Sequence, residues 1–517
     1  MKPVRFYQFS ALIIFSIPLI WLISQFNVSL YADHAWLMIA AQRFLDGQLM
    51  SEAYFDPNPP LSILIYIPIL FISYLPLVEP YYAPYLFGLI CLLLSLLSIN
   101  VLLKAWPAID QQSRHSFLFG FFLANSILTM SGNFYFGERD QIVILGLMPF
   151  LIAQLSITQK IDVSRLFLCC VFFIGAVCIL IKPHYGIFPV ILLAHRMYSQ
   201  RIFFSITRHI DFLALSSAVI LYGSIILLAF RDYISVIFPF FVEYYIPAQN
   251  PRAGAIWYLY LGLILATTLA ALISGIKIKK LKSSLICFLA SFLCLLLFLL
   301  QMKGIYYHLI PALSFYMAGL ALLLAALKNH YFKKENSCWF TQIYRLALLF
   351  FSFCLIPQAA NVPHHADYMR APAGKYITGC EPDCSFFMFT ENIDTIHQLA
   401  LYSENDHASR FPVLWWLPDV ILSNDDSLKD MFASFVATDL KNHKPKLMII
   451  ATNLEVSGVK NFDLIDFLSR NETFLSLMNN YEHIGTLDDN RANYLLRHTE
   501  EDDVSIQYAL YQIKQPH

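Results

Sequence analysis

The sequence predicts a helical polytopic membrane protein that ends in a small α/β domain. Hydrophobic residues make up 58% of the 517 positions, and the mean hydropathy is +0.57. Soluble chains are seldom more than about half apolar, so residues 1–357 are interpreted as a transmembrane body. The remaining segment, 358–517, is mixed polar sequence of a length typical of a separate domain.

Charge divides the chain at the same place. Before Pro357, lysine and arginine outnumber aspartate and glutamate by 23 to 13, whereas after it the acidic residues lead by 23 to 12. An acidic tail with few clustered basic residues argues against nucleic acid as a partner. The partner that this composition predicts is the lipid bilayer.

Twelve apolar segments follow one another in the body, some of them short for a span of about 20 residues. They lie at about 6–26, 61–78, 84–103, 117–131, 142–157, 166–181, 184–195, 211–230, 255–274, 284–301, 308–327 and 343–357. The first has the basic start of a signal peptide but no small-residue cleavage site after it. It is therefore interpreted as a retained signal anchor.

The basic residues decide which segments cross. If segment 61–78 lies in the interface without crossing, 17 lysines and arginines of the body are cytoplasmic and 6 are outside. If it crosses, the numbers become 7 and 16, which the positive-inside rule disfavours. We therefore expect about 11 crossings plus interfacial helices in the cytoplasmic membrane, a cytoplasmic N-terminus and an extracytoplasmic (periplasmic) C-terminal domain.

The first loop at the outer face carries the most informative residues. Asp33 is predicted to be the N-cap of an amphipathic helix lying on the membrane, with His34 beside it and Asn58 later in the loop. A carboxylate there is costly, and in membrane proteins it usually serves a substrate or ion site. Helix capping alone is the alternative interpretation.

Further candidates lie in four other outer loops, Asp140 as a catalytic residue beside Asp33 and the others for substrate binding. These are Glu138, Arg139 and Asp140 in one turn, Lys182 and His184 at the end of a span, Glu243 in an apolar loop, and Lys303 and His308 before another span. Guanidinium and ammonium groups at a membrane face suit a phosphate. An ion-paired helix start, or a lysine snorkelling from a span end, accounts for the same residues without a function.

The tail is predicted to alternate strands and helices. Strands are expected at 385–390, 446–451, 483–487, 493–497 and 508–513, and helices near 392–402, 427–441 and 462–479. Cys380 and Cys384 are its only cysteines. Two thiolates are too few for a zinc site, so a local disulfide in an oxidising compartment is the favoured interpretation.

The order of these features resembles the GT-C superfamily of membrane glycosyltransferases, in particular the family 39-like branch of protein mannosyltransferases and aminoarabinose transferases. The resemblance rests on Tyr31-Ala32-Asp33-His34, on Asn58-Pro59-Pro60-Leu61, on Arg139-Asp140 and on the outer loops with lysine and histidine. It covers about residues 1–330. His34 stands where the family has a second acid, which leaves the need for a divalent metal ion open.

The resemblance implies a polyprenyl-phosphate sugar donor and transfer of the sugar to a hydroxyl of a lipid, glycan or protein. Asp33 would be the general base, and Asp140 would help to shape the site. Arg139, Lys182 and Lys303 would bind the lipid phosphate.

The chemistry of the residue types agrees independently with sugar transfer. A departing phosphate needs cations to stabilise its charge, and an alcohol acceptor needs a carboxylate within hydrogen-bond reach. One base opposite a leaving phosphate favours inversion at the sugar carbon. These side chains, far apart in the sequence, would then have to meet in one cavity that opens away from the cytosol.

Two other functions remain open. A transporter or flippase of a lipid-linked envelope precursor would place polar groups at mid-membrane and show internal repeats, whereas these charges gather at the ends of spans. An envelope-assembly protein whose tail binds a partner is the third interpretation.

Overall fold

The computed structural model is mostly helical. It describes residues 16–17, 19–20, 30–107, 109–130, 135–157, 161–200, 209–245, 256–301, 305–331, 337–355, 369–380, 384–390, 393–413, 417–452, 454–456, 459–489 and 506–514. The chain divides into two compact units. Unit 1 comprises Met1–Phe26, Pro84–Ile225 and Asn250–Ala359, and unit 2 comprises Asn27–Ala83, Ile226–Gln249 and Ala360–His517.

Unit 1 consists mainly of long apolar helices. The helices are Ala83–Ala105, Gln111–Ser126, Arg139–Ser156, Arg165–Ile181, Ile187–Gln200, Ile210–Ala229, Ile256–Ile273, Ile278–Gln301, Ile310–Tyr331 and Ser337–Cys354. Short 3-10 turns lie at Leu128–Met130, Pro183–Gly186 and Tyr306–Leu309. Side-chain caps fix two of the helix starts, because Asp110 accepts a hydrogen bond from the Ser113 amide and Ser164 accepts one from the Phe167 amide.

Helix Ile310–Tyr331 is the most enclosed long helix of unit 1 after Arg139–Ser156. It packs against Ile278–Gln301 and Gln111–Ser126. At Gly120 the approach is so close that a Cβ atom would overlap the backbone carbonyl of Met317. Small residues at such crossings let helices in a membrane gain van der Waals contact along their backbones.

Among the residues that the structure describes, five helices are long and apolar enough to cross a membrane. They are Pro80–Ala105, Arg139–Ser156, Ile210–Ala229, Leu281–Gln301 and Tyr306–Tyr331. Shorter apolar helices lie at Leu61–Ser73, Arg165–Ile181, Tyr233–Tyr244, Tyr258–Ile273 and Phe340–Cys354. The chain is thus a helical membrane protein, and the number of about 11 crossings stays a prediction.

Unit 2 combines helices from three parts of the sequence with a sheet from the tail. Its α-helices are Ala32–Leu45, Met50–Ala53, Leu61–Leu64, Ile67–Ser73, Phe238–Phe240, Pro372–Gly379, Ile393–Ser403, Leu417–Leu422, Asp426–His443, Leu464–Leu468 and Glu472–Met478. A 3-10 turn lies at Pro80–Tyr82, and π-helical turns lie at Tyr233–Ile237 and Phe241–Tyr245.

The described part of the tail contains six strands. They are β1 Phe386–Phe389, β2 Leu447–Ala451, β3 Leu454–Val456, β4 Val459–Phe462, β5 Tyr481–Asp489 and β6 Ile506–Ile513. The main sheet has the order β1-β2-β6-β5, with β1 and β2 parallel and the other pairs antiparallel. Strands β3 and β4 form a separate antiparallel pair. Every residue of β1 and β2 is buried, which explains their continuous apolar sequences.

Four strands and two helices of the tail lie where the sequence predicts them. The expected strand at 493–497 falls outside the described residues, and the small β3–β4 pair was not predicted. The expected helix at 462–479 is two helices, because the Asn471 side chain accepts a hydrogen bond from the Phe474 amide and starts a new one. A disulfide joins Cys380 to Cys384, between helix Pro372–Gly379 and β1.

Candidate functional site

Three helix ends of unit 1 meet at a buried charged centre formed by Asp140, Lys182 and His308. The Lys182 Nζ donates a hydrogen bond to Asp140 Oδ2 at 2.5 Å. The His308 Nδ1 lies 3.0 Å from the same carboxylate oxygen and 2.9 Å from Lys182 Nζ. None of the three residues is more than 8% exposed. The structure therefore brings together the turn of Asp140, the span end of Lys182 and the loop of His308.

The helix ends suit the charges that they carry. Asp140 lies in the first turn of Arg139–Ser156, whereas Lys182 is the C-cap of Arg165–Ile181. Helix N-termini favour anions and C-termini favour cations. The buried Tyr185 hydroxyl donates to the second Asp140 oxygen at 3.1 Å, so that both carboxylate oxygens are held.

The centre can redistribute a proton among its members. Neutral His308 can accept a hydrogen bond from Lys182 at Nδ1, whereas a protonated Nδ1 donates to Asp140 instead. With His308 protonated, the three side chains carry two positive charges and one negative charge. Such a centre can adjust its charge when an anion arrives.

The turn before Asp140 is held by its own side chains. Glu138 is the N-cap of Arg139–Ser156, and its Oε2 accepts a hydrogen bond from the Arg139 amide at 3.0 Å. Burial raises the pKa of the Glu138 carboxyl, while the Arg139 guanidinium 3.5 Å away opposes that shift. Gly137, with φ +86°, takes a left-handed conformation at the turn. Its amide donates to Gln141 Oε1 at 2.6 Å.

Asp33 lies in unit 2, in helix Ala32–Leu45. The prediction that Asp33 is the N-cap was wrong, because Tyr31 has the extended N-cap conformation and Asp33 is already in the first helical turn. Its side chain is buried, with 8% exposure of the residue. A carboxylate in the first turn is stabilised by the helix N-terminus without capping it.

Neighbouring side chains fix this helix to the loop that follows it. The His34 Nδ1 lies 2.6 Å from the Tyr66 hydroxyl. The Trp36 Nε1 donates to Asp56 Oδ2 at 2.6 Å, and the other Asp56 oxygen accepts from both the amide and the side chain of Asn58 at 2.7 Å. Asn58 thus orders its own loop through Asp56.

The same helix is buried almost all round. An amphipathic helix on a surface would be buried on one face only. Segments of the tail pack against this helix within unit 2: the Trp36 ring lies 4.8 Å from that of His397. Arg43, 6% exposed, donates to the carbonyls of Ala53 and Ser409 at 2.5 and 2.8 Å, and to that of His407. It also pairs with Asp406 at 3.0 Å.

His184, Glu243 and Lys303 were also predicted to bind substrate. His184 is exposed, with its Nε2 3.5 Å from Gln301 Nε2. Glu243 is exposed in the π-helical turn Phe241–Tyr245 of unit 2. Lys303 lies outside the described residues. Within the described ranges, no group of three or more His, Cys, Asp and Glu side chains could hold a metal ion.

Solved structures resemble this fold over nearly its whole length, although no family model matches the sequence and no curated protein matches it significantly. ArnT from Cupriavidus metallidurans bound to undecaprenyl phosphate has a TM-score of 0.53 at 12% identity, covering 96% of this chain and 97% of that one. The protein has the GT-C fold. The resemblance expected from the sequence is confirmed at this level.

Two further GT-C structures are similar to the chain. The apo state of the same ArnT has a TM-score of 0.49 at 14% identity, covering 98% of this chain and 97% of that one. The archaeal oligosaccharyltransferase AglB from Archaeoglobus fulgidus, in complex with an inhibitory peptide and a dolichol-phosphate, has a TM-score of 0.37 at 10% identity, covering 88% and 69%.

Several residues that hold the candidate side chains in place within each unit were not predicted from the sequence. Tyr185 follows the predicted Lys182–His184 corner directly, but a tyrosine near a span end is usually an interfacial anchor. Asp56 was seen only as one of several polar residues in its loop. Arg43 gave no signal, because three of its four partners, the Ser409 and His407 carbonyls and the Asp406 carboxylate, lie more than 350 positions away.

Proposed function

We propose that the protein is a membrane glycosyltransferase that moves a sugar from a polyprenyl-phosphate donor to a hydroxyl acceptor at the outer face of the cytoplasmic membrane. The GT-C fold supports this proposal, and the ArnT structure that carries the likeness is bound to undecaprenyl phosphate. The acceptor is a lipid, glycan or protein that bears a free hydroxyl. The 358–517 segment, as an extracytoplasmic domain, belongs to the same proposal.

The observation that carries the proposal is the buried centre of Asp140, Lys182 and His308. Removing such charges from water costs several kcal/mol per ion unless partners offset it, and here each charge has one. An ammonium held by a carboxylate stays charged and oriented. We assign Lys182, with His308 and Arg139, to the phosphate of the donor, and Asp140 and Tyr185 to positioning Lys182.

Asp33 is assigned as the general base. As an ionised carboxylate it accepts the proton of the acceptor hydroxyl while that oxygen attacks the anomeric carbon of the sugar. The bond between this carbon and the phosphate oxygen breaks, and the phosphate leaves with the electron pair, stabilised by the cations. Attack opposite the leaving group inverts the configuration. The burial of Asp33 disfavours water as a competing acceptor.

The test compares envelope glycans by mass spectrometry in cells with and without this protein, and in cells complemented with Asp33→Asn. We expect one sugar modification to disappear on deletion and to stay absent with Asp33→Asn. The matched control is Asp46→Asn, an exposed carboxylate at the end of the same helix, which should restore the modification. Full restoration by Asp33→Asn would remove the general base from the proposal.

The same comparison separates transfer from transport. A flippase that supplies a lipid-linked precursor would cause that precursor to accumulate on deletion, with its sugar still exposed at the cytoplasmic face. Deletion of a transferase would leave the donor lipid at the outer face with its sugar still attached. Protection of the sugar from an impermeant oxidant in intact cells would therefore contradict the proposed function.

A further inference from the structure

A second group of basic side chains lies at the other end of helix Ile310–Tyr331. His308 directly precedes this helix, and Lys328 lies in its last turn. At 1.5 Å per residue, the 20 positions between them correspond to about 30 Å. This distance is close to the thickness of the hydrocarbon core of a bilayer. The two groups therefore belong to different membrane surfaces.

Three helices supply what we call the cationic centre, Arg114, His115, Lys328 and Arg345. The buried Lys328 Nζ donates to the side chain of Gln112 at 3.1 Å, which ties Ile310–Tyr331 to the start of Gln111–Ser126. The hydroxyls of Ser116 and Tyr344 lie 2.8 Å apart and bring in Ser337–Cys354. From that helix the buried Arg345 guanidinium lies 5.9 Å from the Phe119 ring.

The electrostatics agree with a local excess of positive charge. Burial, followed by the charges of Arg114 and Arg345, lowers the pKa of His115. The Arg114 Nη2 lies 3.4 Å from the His115 Nε2. Asp110, an acidic residue just before Gln111–Ser126, is exposed, and its oxygens accept from the amide and hydroxyl of Ser113.

One buried donor of the centre is suited to an anion. The Nε of Arg114 is buried and has no hydrogen-bond partner among the residues that the structure describes. A buried guanidinium N–H without an acceptor costs about 1–3 kcal/mol or more. Arg114 and His115 are only half-buried as residues, so that a ligand can reach them from the membrane surface.

We propose that the cationic centre binds the phosphate of an anionic headgroup. Guanidinium groups match the oxygens of a phosphate in geometry as well as in charge, and basic pockets between membrane helices are suited to phospholipid headgroups. The exposed apolar side chains of Leu346 and Phe350 continue from Arg345 along the same helix, where the acyl chains of such a lipid would lie. The distribution of charge in the sequence places this end in the cytoplasmic leaflet.

The shared chemistry is a phosphate anion, and two sources can supply it. A phospholipid contributes its diester phosphate together with acyl chains, whereas inorganic phosphate arrives from the aqueous phase. The apolar residues beside Arg345 favour the lipid. Neither source is the polyprenyl-phosphate donor of the proposed function, since that reaction is assigned to the opposite end of the helix.

The test measures binding of phosphatidylglycerol and of inorganic phosphate, each alone, to the purified full-length protein by native mass spectrometry, with phosphatidylcholine as the neutral lipid. The double variant Lys328→Gln/Arg345→Gln should bind phosphatidylglycerol about tenfold or more weakly. The matched control, Lys282→Gln/Arg165→Gln, removes one exposed lysine and one exposed arginine and should leave binding unchanged. Arg345→Lys, which keeps the charge, should restore most of the affinity in place of Arg345→Gln.

The arms give distinct results. Loss of phosphatidylglycerol binding in the double variant but not in the control supports a lipid site. Binding of inorganic phosphate but not of phosphatidylglycerol supports a site for the free anion. Equal binding of both ligands by wild type, double variant and control would overturn the proposal. Thermal melting of each variant without added ligand shows whether a loss of binding reflects a loss of fold. Sugar transfer is not the readout, so the result is independent of the proposed function.

Discussion

At the scale of single residues, the chain places its buried charges in matched sets. Asp140 holds Lys182 and His308, and in the same unit the two Asp211 oxygens accept from Arg196 Nη2 at 2.7 and 2.6 Å. Such a set of opposite charges supports the fold, the chemistry or both. Variants that remove both members of an ion pair distinguish these roles.

Asp140→Asn should destabilise unit 1, because it leaves the Lys182 ammonium buried without its carboxylate. Breaking such a pair costs about 3–5 kcal/mol, whereas removing both partners is often nearly neutral. The double variant Asp140→Asn/Lys182→Met should therefore recover most of the unfolding midpoint but no sugar transfer. The control Asp211→Asn/Arg196→Met should retain transfer. Activity in the first double variant would mean that the centre is structural only.

Acid should destabilise unit 2 through its buried histidines. Burial lowers the pKa of His397 to about 3 and that of His407 well below its usual value. A group with a depressed folded-state pKa stabilises the fold fully above the unfolded value of about 6.5, and this stability is lost as the pH falls towards 3. At pH 5, His397 alone should account for about 2 kcal/mol relative to pH 7.5.

Thermal unfolding at the two pH values checks this prediction. His397→Gln keeps a donor for the Pro412 carbonyl, to which the His397 Nε2 is bound at 2.5 Å, and should reduce the loss of stability in acid. His483→Gln, at an exposed position of β5, should leave the loss unchanged. The same pH dependence in all three proteins would assign it to other groups.

At the scale of elements, much of the tail could be predicted and much of the helix of Asp33 could not. Strands β1 and β2 are continuous apolar runs, so their sequence alone is typical of buried strands. Helix Ala32–Leu45 has an amphipathic pattern, yet it is buried almost all round, because tail segments distant in sequence pack against it. The sequence predicted that Asp140, Lys182 and His308 lie at the same membrane face. It did not predict that they contact one another, because distances within a face are set by packing.

Arg43 should hold the helix of Asp33 to the tail. Arg43→Met would leave the carbonyls of Ala53, His407 and Ser409 without their donor, at a cost of about 2–4 kcal/mol. We expect a lower unfolding midpoint and faster cleavage of the 404–413 segment by protease. Arg231→Met, which removes an exposed arginine that donates to the nearby Leu227 carbonyl, is the control. An unchanged midpoint for Arg43→Met would show that these contacts are dispensable.

At the scale of the whole molecule, the account rests on which membrane face each loop occupies. The composition predicted a helical membrane protein and the resemblance in sequence implied the GT-C fold, and both predictions are confirmed. The sequence resemblance covered about residues 1–330, whereas the likeness to ArnT spans 96% of the chain and so includes most of the tail. Sequence reasoning missed this because short strands and turns carry no motif of their own.

Labelling of engineered cysteines checks the orientation. In a variant without the native free cysteines, His184→Cys should react with an impermeant maleimide in intact cells. Arg165→Cys, at the other end of the intervening helix, should react only after permeabilisation. Both positions are exposed, so accessibility does not favour either. The reverse pattern would place the proposed site on the cytoplasmic side and contradict sugar transfer at the outer face.

The most direct measurement is release of polyprenyl phosphate by the purified protein. The substrate is the undecaprenyl-phosphate form of the sugar that deletion removes from the envelope. The wild type should release the lipid phosphate in step with transfer of the sugar, and Asp33→Asn should be slower by about 100-fold or more. Folded wild-type protein that leaves the donor intact in the presence of acceptor, or an Asp33→Asn variant that turns over at the wild-type rate, would contradict the account.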